Sequence, residues 1–128
     1  MCSSDLNAVM PTEPTQHLRW KLCTEESKEL GDAENLVSYT DAVVDLLYVT
    51  IGSAIAAGIG PDTLSKAWDE VHRSNMTKFW LPEEVECIPG NWTFSSAGNG
   101  RFVVRDRDGK VRKSPSYQPA NLEKIVHG

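Results

Sequence analysis

An apolar run over residues 42–60 constrains the fold of this chain more than any other feature of its sequence. Apart from Asp45, Thr50 and Ser53 it is almost wholly apolar, and it is long enough to cross a membrane. A carboxylate inside a span costs about 2.5–3.5 kcal/mol on insertion scales, and no Lys/Arg cluster flanks the run to set an orientation. We therefore interpret it as a buried core helix. In so small a chain such a helix needs neighbours on all sides, which predicts a partner subunit.

The residues around this run predict a helix bundle. Proline and glycine positions, together with helical spacing of apolar residues, give the approximate helix ends. In chain order we expect a loose tail over residues 1–14, a helix from near Thr15 to Leu30 or Ala33, a helix over residues 36–57, and a helix from Pro61 to Phe79 or Trp80.

The C-terminal third of the sequence has a different character. Prolines and glycines without any apolar period predict a loop or insertion over residues 81–100, more simply a surface loop than a lid or base-stacking element. Residues 102–104 and 111–113 flank Asp108-Gly109 and predict a short β-hairpin, and a short helix is expected from about Ala120. The predicted fold is all-α: one domain over residues 1–128, an antiparallel helix bundle completed by oligomerisation, with a small C-terminal β-hairpin.

Composition excludes several classes of protein. The net charge of −5 argues against a basic nucleic-acid binder. Cys2, Cys23 and Cys87 are odd in number and widely spaced, which fits neither a disulfide framework nor a zinc site. The N-terminal residues show no signal-peptide pattern. We expect a cytoplasmic protein that binds neither nucleic acid nor membrane.

Carboxylates recur at helical spacing on the first two predicted helices. Glu25, Glu26 and Glu29 stand one turn apart on the first helix, and Asp41 and Asp45 one turn apart on the second. A short link makes the helices antiparallel neighbours, so the acidic faces can point at each other. Facing carboxylates repel unless a cation lies between them, and oxygen ligands favour Mg²⁺ or Mn²⁺. The alternative is a solvated acidic surface, which explains Asp45 poorly because it lies inside the apolar run.

The third predicted helix offers groups for phosphate binding. Asn75 shares a predicted core stripe with Leu64, Trp68 and Val71. Arg73 and Lys78 are suited to phosphate oxygens. The alternatives are that Arg73 pairs with Asp69 across one turn, and that these residues form an ordinary basic helix end.

Four sequence blocks in order resemble a known family. The chain resembles the all-α nucleoside triphosphate pyrophosphohydrolases, in particular the MazG-like branch related to phosphoribosyl-ATP pyrophosphohydrolase. The resemblance covers about Leu18 to Leu122 without the stretch Trp80–Gly100. It rests on Glu25-Glu26-x-x-Glu29, on Asp41 to Asp45 with Tyr48, on Asn75-Met-Thr-Lys78, and on the stretch from Asp108 to Tyr117 and Pro119.

The resemblance implies hydrolysis of a nucleoside triphosphate between the α and β phosphates by a homodimer or homotetramer. It implies Mg²⁺, with Mn²⁺ as an alternative, held by Glu26, Glu29 and Asp45 and further by Asp41. Glu25 is the expected group to orient or deprotonate water, with Glu26 able to exchange roles and Glu29 essential. The residues expected to bind substrate are Arg73, Asn75, Lys78, Lys110, Lys113 and Tyr117.

The chain departs from the family pattern in its second acidic motif, usually Glu-x-x-Asp. Ala42 stands three residues before Asp45, and Ser38 three before Asp41. The link between the two motif helices is also shorter than usual, so the first helix is expected to end early. The missing glutamate at Ala42 favours one alternative, a catalytically impaired nucleotide-binding oligomer. The resemblance leaves a second one, a phosphoribosyl-ATP pyrophosphohydrolase on the same scaffold, against which the C-terminal hairpin signature speaks.

Overall fold

The computed structural model describes residues 7–128, so the predicted tail is described only from residue 7 onward. Two compact units make up the chain, Met1–Leu64 and Ser65–Gly128, each with its own internal contacts. Their boundary falls inside the third helix. The prediction of a single domain stays a prediction.

The first helix, α1 (Glu13–Asp32), begins two residues before the predicted start. The Thr12 side chain caps it by accepting a hydrogen bond from the backbone N–H of Thr15, and Pro14 lies in the first turn, where its missing N–H does no harm. The prediction of a loose tail is therefore wrong for residues 13 and 14. The helix α1 ends at Asp32, inside the predicted range of Leu30 to Ala33, so the short link that follows does not shorten α1.

The second helix, α2 (Leu36–Ala56), starts at a capping box. Asn35 accepts a hydrogen bond from the backbone N–H of Ser38, and the Ser38 hydroxyl accepts one from the backbone N–H of Asn35. Only two residues, Ala33 and Glu34, separate α1 from this cap, and the helices pack as antiparallel neighbours, as predicted.

Most of α2 is exposed in the single chain. Ala42 is its only buried residue, and large apolar side chains such as Val37 and Tyr48 are 81% and 79% exposed. By length and composition α2 could span a membrane, a test that core helices of water-soluble proteins also pass. The chain alone therefore does not make α2 a buried core helix, and the predicted partner subunit stays a prediction.

The third helix, α3 (Pro61–Met76), ends three residues before the earlier of its two predicted ends. The predicted core stripe is wrong: Leu64, Trp68, Val71 and Asn75 are all exposed. The less exposed face is instead the one that carries Glu70 and Ser74, and Ser74 is buried. Apolar spacing misleads at this point because the C-terminal segment packs on the helix through polar groups.

The second unit has a small sheet and core of its own. After α4 (Pro82–Val85), three antiparallel strands follow in the order β1 (Thr93–Gly98), β2 (Arg101–Arg105) and β3 (Val111–Arg112). The predicted hairpin is confirmed as β2–β3, where Val104 lies opposite Arg112. A final helix, α5 (Glu123–His127), begins three residues later than predicted.

The stretch 81–100 is not the surface loop that the sequence predicts. It contributes α4, β1 and part of a core in which Trp80, Val85 and Val104 are buried. Trp92 packs edge-to-face on Trp80, with ring centroids 6.5 Å apart. The prediction fails because the core residues are scattered without a period, and because β1 is exposed and lacks alternation of apolar and polar residues.

Candidate functional site

The carboxylates of the first unit are placed by the packing of α1 on α2. On α1, Arg19 reaches across to α2, where its Nη2 donates to the carbonyl oxygen of Val49 at 2.7 Å and its Nε donates to the hydroxyl of Ser53 at 3.2 Å. Gly52 lies directly under this guanidinium, and a Cβ there would collide with it. This contact fixes one end of the helix pair, so that Glu26, two turns along α1, meets α2 at Asp45.

Three carboxylates meet between the helices. Glu26, Glu29 and Asp45 each offer an oxygen, and these oxygens all lie within 4.8 Å of one another. Glu26 and Asp45 are partly buried, whereas Glu29 is exposed. The i,i+3 spacing on α1 puts the two glutamates on one face, and the antiparallel pairing brings the aspartate to them. The sequence predicts this cluster correctly.

The surroundings of the Glu26 carboxyl disfavour its ionised form. Burial raises the pKa of Glu26 above its ordinary value of 4.5, and the hydrogen bond and charge of Glu29, with the charges of Asp45 and Glu25, raise it further. Its Oε2 atom is buried and has no hydrogen-bond partner in the part of the chain that the structure describes. A buried carboxylate oxygen normally has a partner, so an atom of this kind beside two more carboxylates is suited to a cation.

The donor set fits a hard divalent ion. All three groups offer oxygen, which Mg²⁺ and Mn²⁺ prefer, and no soft sulfur or imidazole ligand belongs to the cluster. The orphaned oxygen of Glu26 is the observation that supports this fit. The remaining coordination positions are open to water and phosphate oxygens, as is usual for Mg²⁺.

Asp41 and Glu25 lie outside the three-carboxylate group. Asp41 is exposed and lines, with Glu29 and Ala42, a neighbouring cavity of about 400 Å³ at the α1–α2 link. Glu25 is exposed, and its charge acts on Glu26. The structure thus groups three of the four predicted metal ligands and places the fourth one helical turn away along α2.

Ala42 occupies the position where the family pattern has a glutamate. It is 3% exposed and lines the same cavity as Glu29. The cavity gives a longer side chain at this position room to extend toward solvent. With alanine at this position, the space that an acidic side chain would occupy is left open.

In the second unit, Arg73 is held by neighbours. Its Nε and Nη2 donate to the two carboxylate oxygens of Glu70 at 2.6 and 3.0 Å, and its Nη1 donates to Gln118 at 3.0 Å. The side-chain hydrogen bond from Arg73 and the backbone N–H of Asn121 lower the pKa of Glu70 to about 2. The alternative pairing of Arg73 with Asp69 is wrong. Asn75, the next predicted substrate ligand, is exposed.

Three other predicted substrate residues lie together. The nearby Ser74 side chain lowers the pKa of Tyr117, and the charges of Lys113 and Lys78 act in the same direction. The Nζ atom of Lys113 lies 4.5 Å from the centroid of the Tyr117 ring. The carbonyl oxygen of Lys78 accepts a hydrogen bond from the backbone N–H of Ser114, which ties the C-terminal segment to the end of α3. Lys110 lines a pocket with Lys113.

Sequence reasoning missed the residue that anchors this segment. Glu84 of α4 accepts hydrogen bonds from the Ser114 and Ser116 hydroxyls and from the backbone N–H of Leu81. Burial acts to raise the pKa of Glu84, but the hydrogen bonds from Ser116, Leu81 and Ser114 prevail and lower it. The Lys113-to-Tyr117 segment is held by this contact. No local spacing signals it, because the partners are about thirty residues apart.

Comparison with known families identifies the helical part of the chain. A model described as phosphoribosyl-ATP pyrophosphohydrolase matches residues 6–75, which is more than half of the chain and includes α1, α2 and nearly all of α3. A comparison with curated proteins finds no match. Proteins of the matched family generally use a divalent metal, which agrees with the acidic cluster on α1 and α2. The chain therefore belongs to the phosphoribosyl-ATP pyrophosphohydrolase family, and with it to the hydrolases that act on phosphoric anhydrides.

Proposed function

We propose that the protein is a Mg²⁺-dependent nucleoside triphosphate pyrophosphohydrolase. It cleaves ribo- or deoxyribonucleoside triphosphates between the α and β phosphates and releases a monophosphate and pyrophosphate, clearing the nucleotide pool of unwanted members. One observation carries the proposal: in a chain of this family, carboxylate oxygens of Glu26, Glu29 and Asp45 lie within 4.8 Å of one another, and the buried Oε2 of Glu26 has no hydrogen-bond partner among residues 7–128.

In this proposal Glu26, Glu29 and Asp45 hold the divalent ion, and Asp41 adds a ligand from the adjoining cavity. A bound Mg²⁺, or Mn²⁺ in its place, neutralises phosphate charge and lowers the pKa of a coordinated water. Few other groups are needed, because positioning and electrostatics dominate phosphoryl chemistry.

Glu25 is the proposed group that orients the attacking water or takes its proton. It is exposed to solvent next to the cluster, so water reaches it freely, and its charge is felt by Glu26. Glu26, the next residue along α1, is the alternative for this role.

Basic groups of the second unit are the proposed substrate ligands. Lys78, Lys113 and Tyr117 lie together at the end of α3 and in the following segment. Arg73 and Asn75 on α3, and Lys110 in the β2–β3 hairpin, complete the proposed set. The Glu70 carboxylate holds Arg73 in one orientation, which would suit it to a phosphate but also neutralises part of its charge.

The reaction is tested directly with a panel of ribo- and deoxyribonucleoside triphosphates, incubated with Mg²⁺ or with chelator. Monophosphate and pyrophosphate are measured by ion-exchange chromatography. We expect pyrophosphate release that depends on Mg²⁺, and the panel names the base and sugar. Release of single phosphate would contradict cleavage between the α and β phosphates.

A pair of variants ties the reaction to the cluster. Glu29→Gln removes a ligand charge, and we expect it to abolish turnover while the helical circular dichroism stays intact. Glu13→Gln makes the same change in the exposed first turn of α1 and is expected to leave turnover unchanged. Full activity in Glu29→Gln would remove the cluster from the mechanism.

Two alternatives have an observation in their favour. The description of the matched family favours phosphoribosyl-ATP as substrate, so this compound belongs in the panel. Ala42, in place of an acidic residue, favours a nucleotide-binding oligomer with impaired catalysis. Metal-dependent nucleotide binding without turnover of any substrate would select this second alternative.

We also propose that the protein works as a homodimer or homotetramer in the cytoplasm. The exposed apolar side chains of α2 support the oligomer, because a water-soluble chain gains by covering them. The cysteines that the structure describes, Cys23 and Cys87, are both free thiols, which supports a reducing compartment.

A further inference from the structure

A pocket of about 330 Å³ opens beside the hairpin of the second unit, in a part of the chain that the family model does not match. Its lining combines two aromatic rings with three cationic side chains and contains no carboxylate. The lining residues are Trp80, Trp92, Lys110, Val111, Arg112 and Lys113. The local charge supports an anion as ligand, since residues 101–113 contain six Lys or Arg and two Asp in a chain of net charge −5.

The turn between β2 and β3 is organised by Asp106. Its Oδ1 accepts hydrogen bonds from the backbone N–H groups of Asp108 and Lys110 at 2.9 and 3.0 Å. Gly109 adopts the positive φ of +80° that closes the turn. The backbone of Lys110, a residue of the pocket lining, is therefore held in place, and β3 starts from a defined position.

Arg112 is held in place by an aromatic ring and left with free hydrogen-bonding capacity. Its guanidinium lies over Trp92, 5.2 Å from the ring centroid, and its backbone carbonyl accepts the indole N–H of the buried Trp80. The nearest carboxylate is Asp106, whose Oδ2 is 3.5 Å from Nη1. A close guanidinium–carboxylate hydrogen bond is about 2.7–2.9 Å long. The Arg112 side chain, 44% exposed, thus forms a long ion pair with Asp106 without a close hydrogen bond to it.

The face of Trp92 that Arg112 covers is closed to a stacking base. The pocket offers a ligand the guanidinium of Arg112, with Lys110 and Lys113 also in its lining. The Lys113 ammonium itself lies over the Tyr117 ring, 4.5 Å from the ring centroid. A planar, pre-oriented guanidinium with flanking lysines is suited to phosphate oxygens.

We propose that this pocket binds a phosphoanion, either the phosphate groups of a nucleotide or an inorganic polyphosphate, with Arg112 as its principal ligand. The nucleotide as source rests on the proposed function, whereas the anion site itself does not. Arg112 and Trp92 are thereby added to Lys110 and Lys113 as binding residues.

Isothermal titration calorimetry of the full chain tests the proposal, with ATP and inorganic triphosphate as separate probes. Excess EDTA keeps divalent ions off the carboxylate cluster. Arg112→Gln removes the guanidinium, and Lys110→Gln removes a flanking charge without disturbing the contact with Trp92. Arg107→Gln, an exposed position in the same turn, makes the same charge change outside the pocket lining.

We expect Arg112→Gln to weaken binding of both probes roughly 10- to 100-fold, as loss of a hydrogen bond to a charged group implies. Lys110→Gln should weaken it less, and Arg107→Gln should match the unchanged protein. Equal affinity for ATP and triphosphate would show that the pocket recognises the phosphate groups alone. Tighter binding of ATP would show that the nucleoside also contributes to binding. Equal binding by Arg112→Gln and Arg107→Gln would overturn the proposal.

The outcome is separable from the fate of the proposed function. Glu29→Gln is expected to bind triphosphate in EDTA like the unchanged protein, even where its turnover is lost. Loss of affinity in Arg112→Gln together with no turnover in the panel would leave the anion site standing and remove the pyrophosphohydrolase assignment. Turnover in the panel together with unchanged binding by Arg112→Gln would leave the pyrophosphohydrolase assignment standing and remove the anion site.

Discussion

At the scale of single residues, Glu26 connects the metal proposal to stability. Its pKa is raised by burial and by the neighbouring carboxylates, so its ionised form is disfavoured in the folded chain without metal. Glu26→Gln removes that charge. We expect the metal-free variant to unfold at a higher temperature than the unchanged protein.

The same variant should lose its response to Mg²⁺. A ligand present at one hundred times its Kd stabilises a folded protein by about 2.7 kcal/mol, and differential scanning calorimetry with and without Mg²⁺ measures this shift. Glu13→Gln serves as the control and should keep the full shift. A Mg²⁺ response that survives in Glu26→Gln would contradict the assignment of this residue as a ligand.

A substitution at Ala42 tests the proposed metal site by adding a carboxylate instead of removing one. Ala42→Glu adds a carboxylate beside Glu29 in the cavity at the α1–α2 link. We expect lower stability without metal, because like charges are brought together, and a larger Mg²⁺-induced rise in the unfolding temperature. Ser38→Glu, at the corresponding position before Asp41, is the comparison. No gain in the Mg²⁺ response for either variant would mean that Ala42 is not the site of a lost ligand.

The ionised carboxylate of Glu70 contributes stability to the second unit that is lost in acid. Its pKa lies at about 2, below the ordinary 4.5, because Arg73 and the backbone N–H of Asn121 stabilise its charge. A lowered pKa contributes stability above the ordinary value, and this contribution is lost as pH falls from about 4.5 toward 2. In Glu70→Gln we expect the unfolding temperature to fall less over this range, whereas Asp69→Asn, on the adjacent residue, should behave like the unchanged protein.

The site residues differ in how readily the sequence predicts them. Glu26, Glu29 and Asp45 follow from helical spacing and a short link, since both are local properties. Asp41 satisfies the same spacing yet lies apart, because each further turn of α2 moves about 5.4 Å along the axis. Arg19 and Glu84 bind partners about thirty residues away, and nothing in their immediate neighbourhood indicates this.

At the scale of elements, the contact of Arg19 with Gly52 determines how α1 and α2 pack. Gly52→Ala places a Cβ where the guanidinium lies and should displace it from Val49 and Ser53. Loss of these hydrogen bonds costs about 1–3 kcal/mol, and the helical gain of roughly 0.5–1 kcal/mol from glycine to alanine offsets part of it. We therefore expect a net fall in the free energy of unfolding of about 0.5–2 kcal/mol. Urea denaturation followed by circular dichroism measures this change.

Gly31→Ala is the matched control for this helix pair. Gly31 lies in α1 with nothing within 4 Å of an added Cβ. A glycine-to-alanine change inside a helix stabilises by roughly 0.5–1 kcal/mol. The two substitutions should therefore change stability in opposite directions, and a shared direction would show that Arg19 does not determine the packing.

The elements also show where sequence reasoning ends. The helices α1, α2, α3 and α5 are predicted to within a few residues because caps and prolines mark their ends, whereas α4 is missed. The apolar stripe of α3 is wrong, because the segment that packs on that helix does so through Ser74, Glu70 and their polar partners. The β1 strand is missed because it is short, exposed throughout and without alternation of apolar and polar residues.

At the scale of the whole molecule, α2 predicts association. Stable protein interfaces bury about 1,600 Å² in total, and the exposed side chains of α2 offer apolar surface for one. Tyr48→Lys should shift the protein toward monomer in light scattering coupled to size exclusion. Val126→Lys, at an exposed apolar position on α5, should not. A monomeric unchanged protein at high micromolar concentration would contradict the proposed oligomer.

The bare surface of α2 also has a calorimetric consequence. Apolar area that stays hydrated in the folded chain does not change its hydration on unfolding, so it adds nothing to the heat capacity of that step. A single chain should therefore fall below the usual increment of about 12–15 cal/mol/K per residue. Association of subunits buries the same apolar area, so it should show a negative heat-capacity change. At high concentration, unfolding of the oligomer then includes this contribution, whereas after dilution it belongs to the dissociation step.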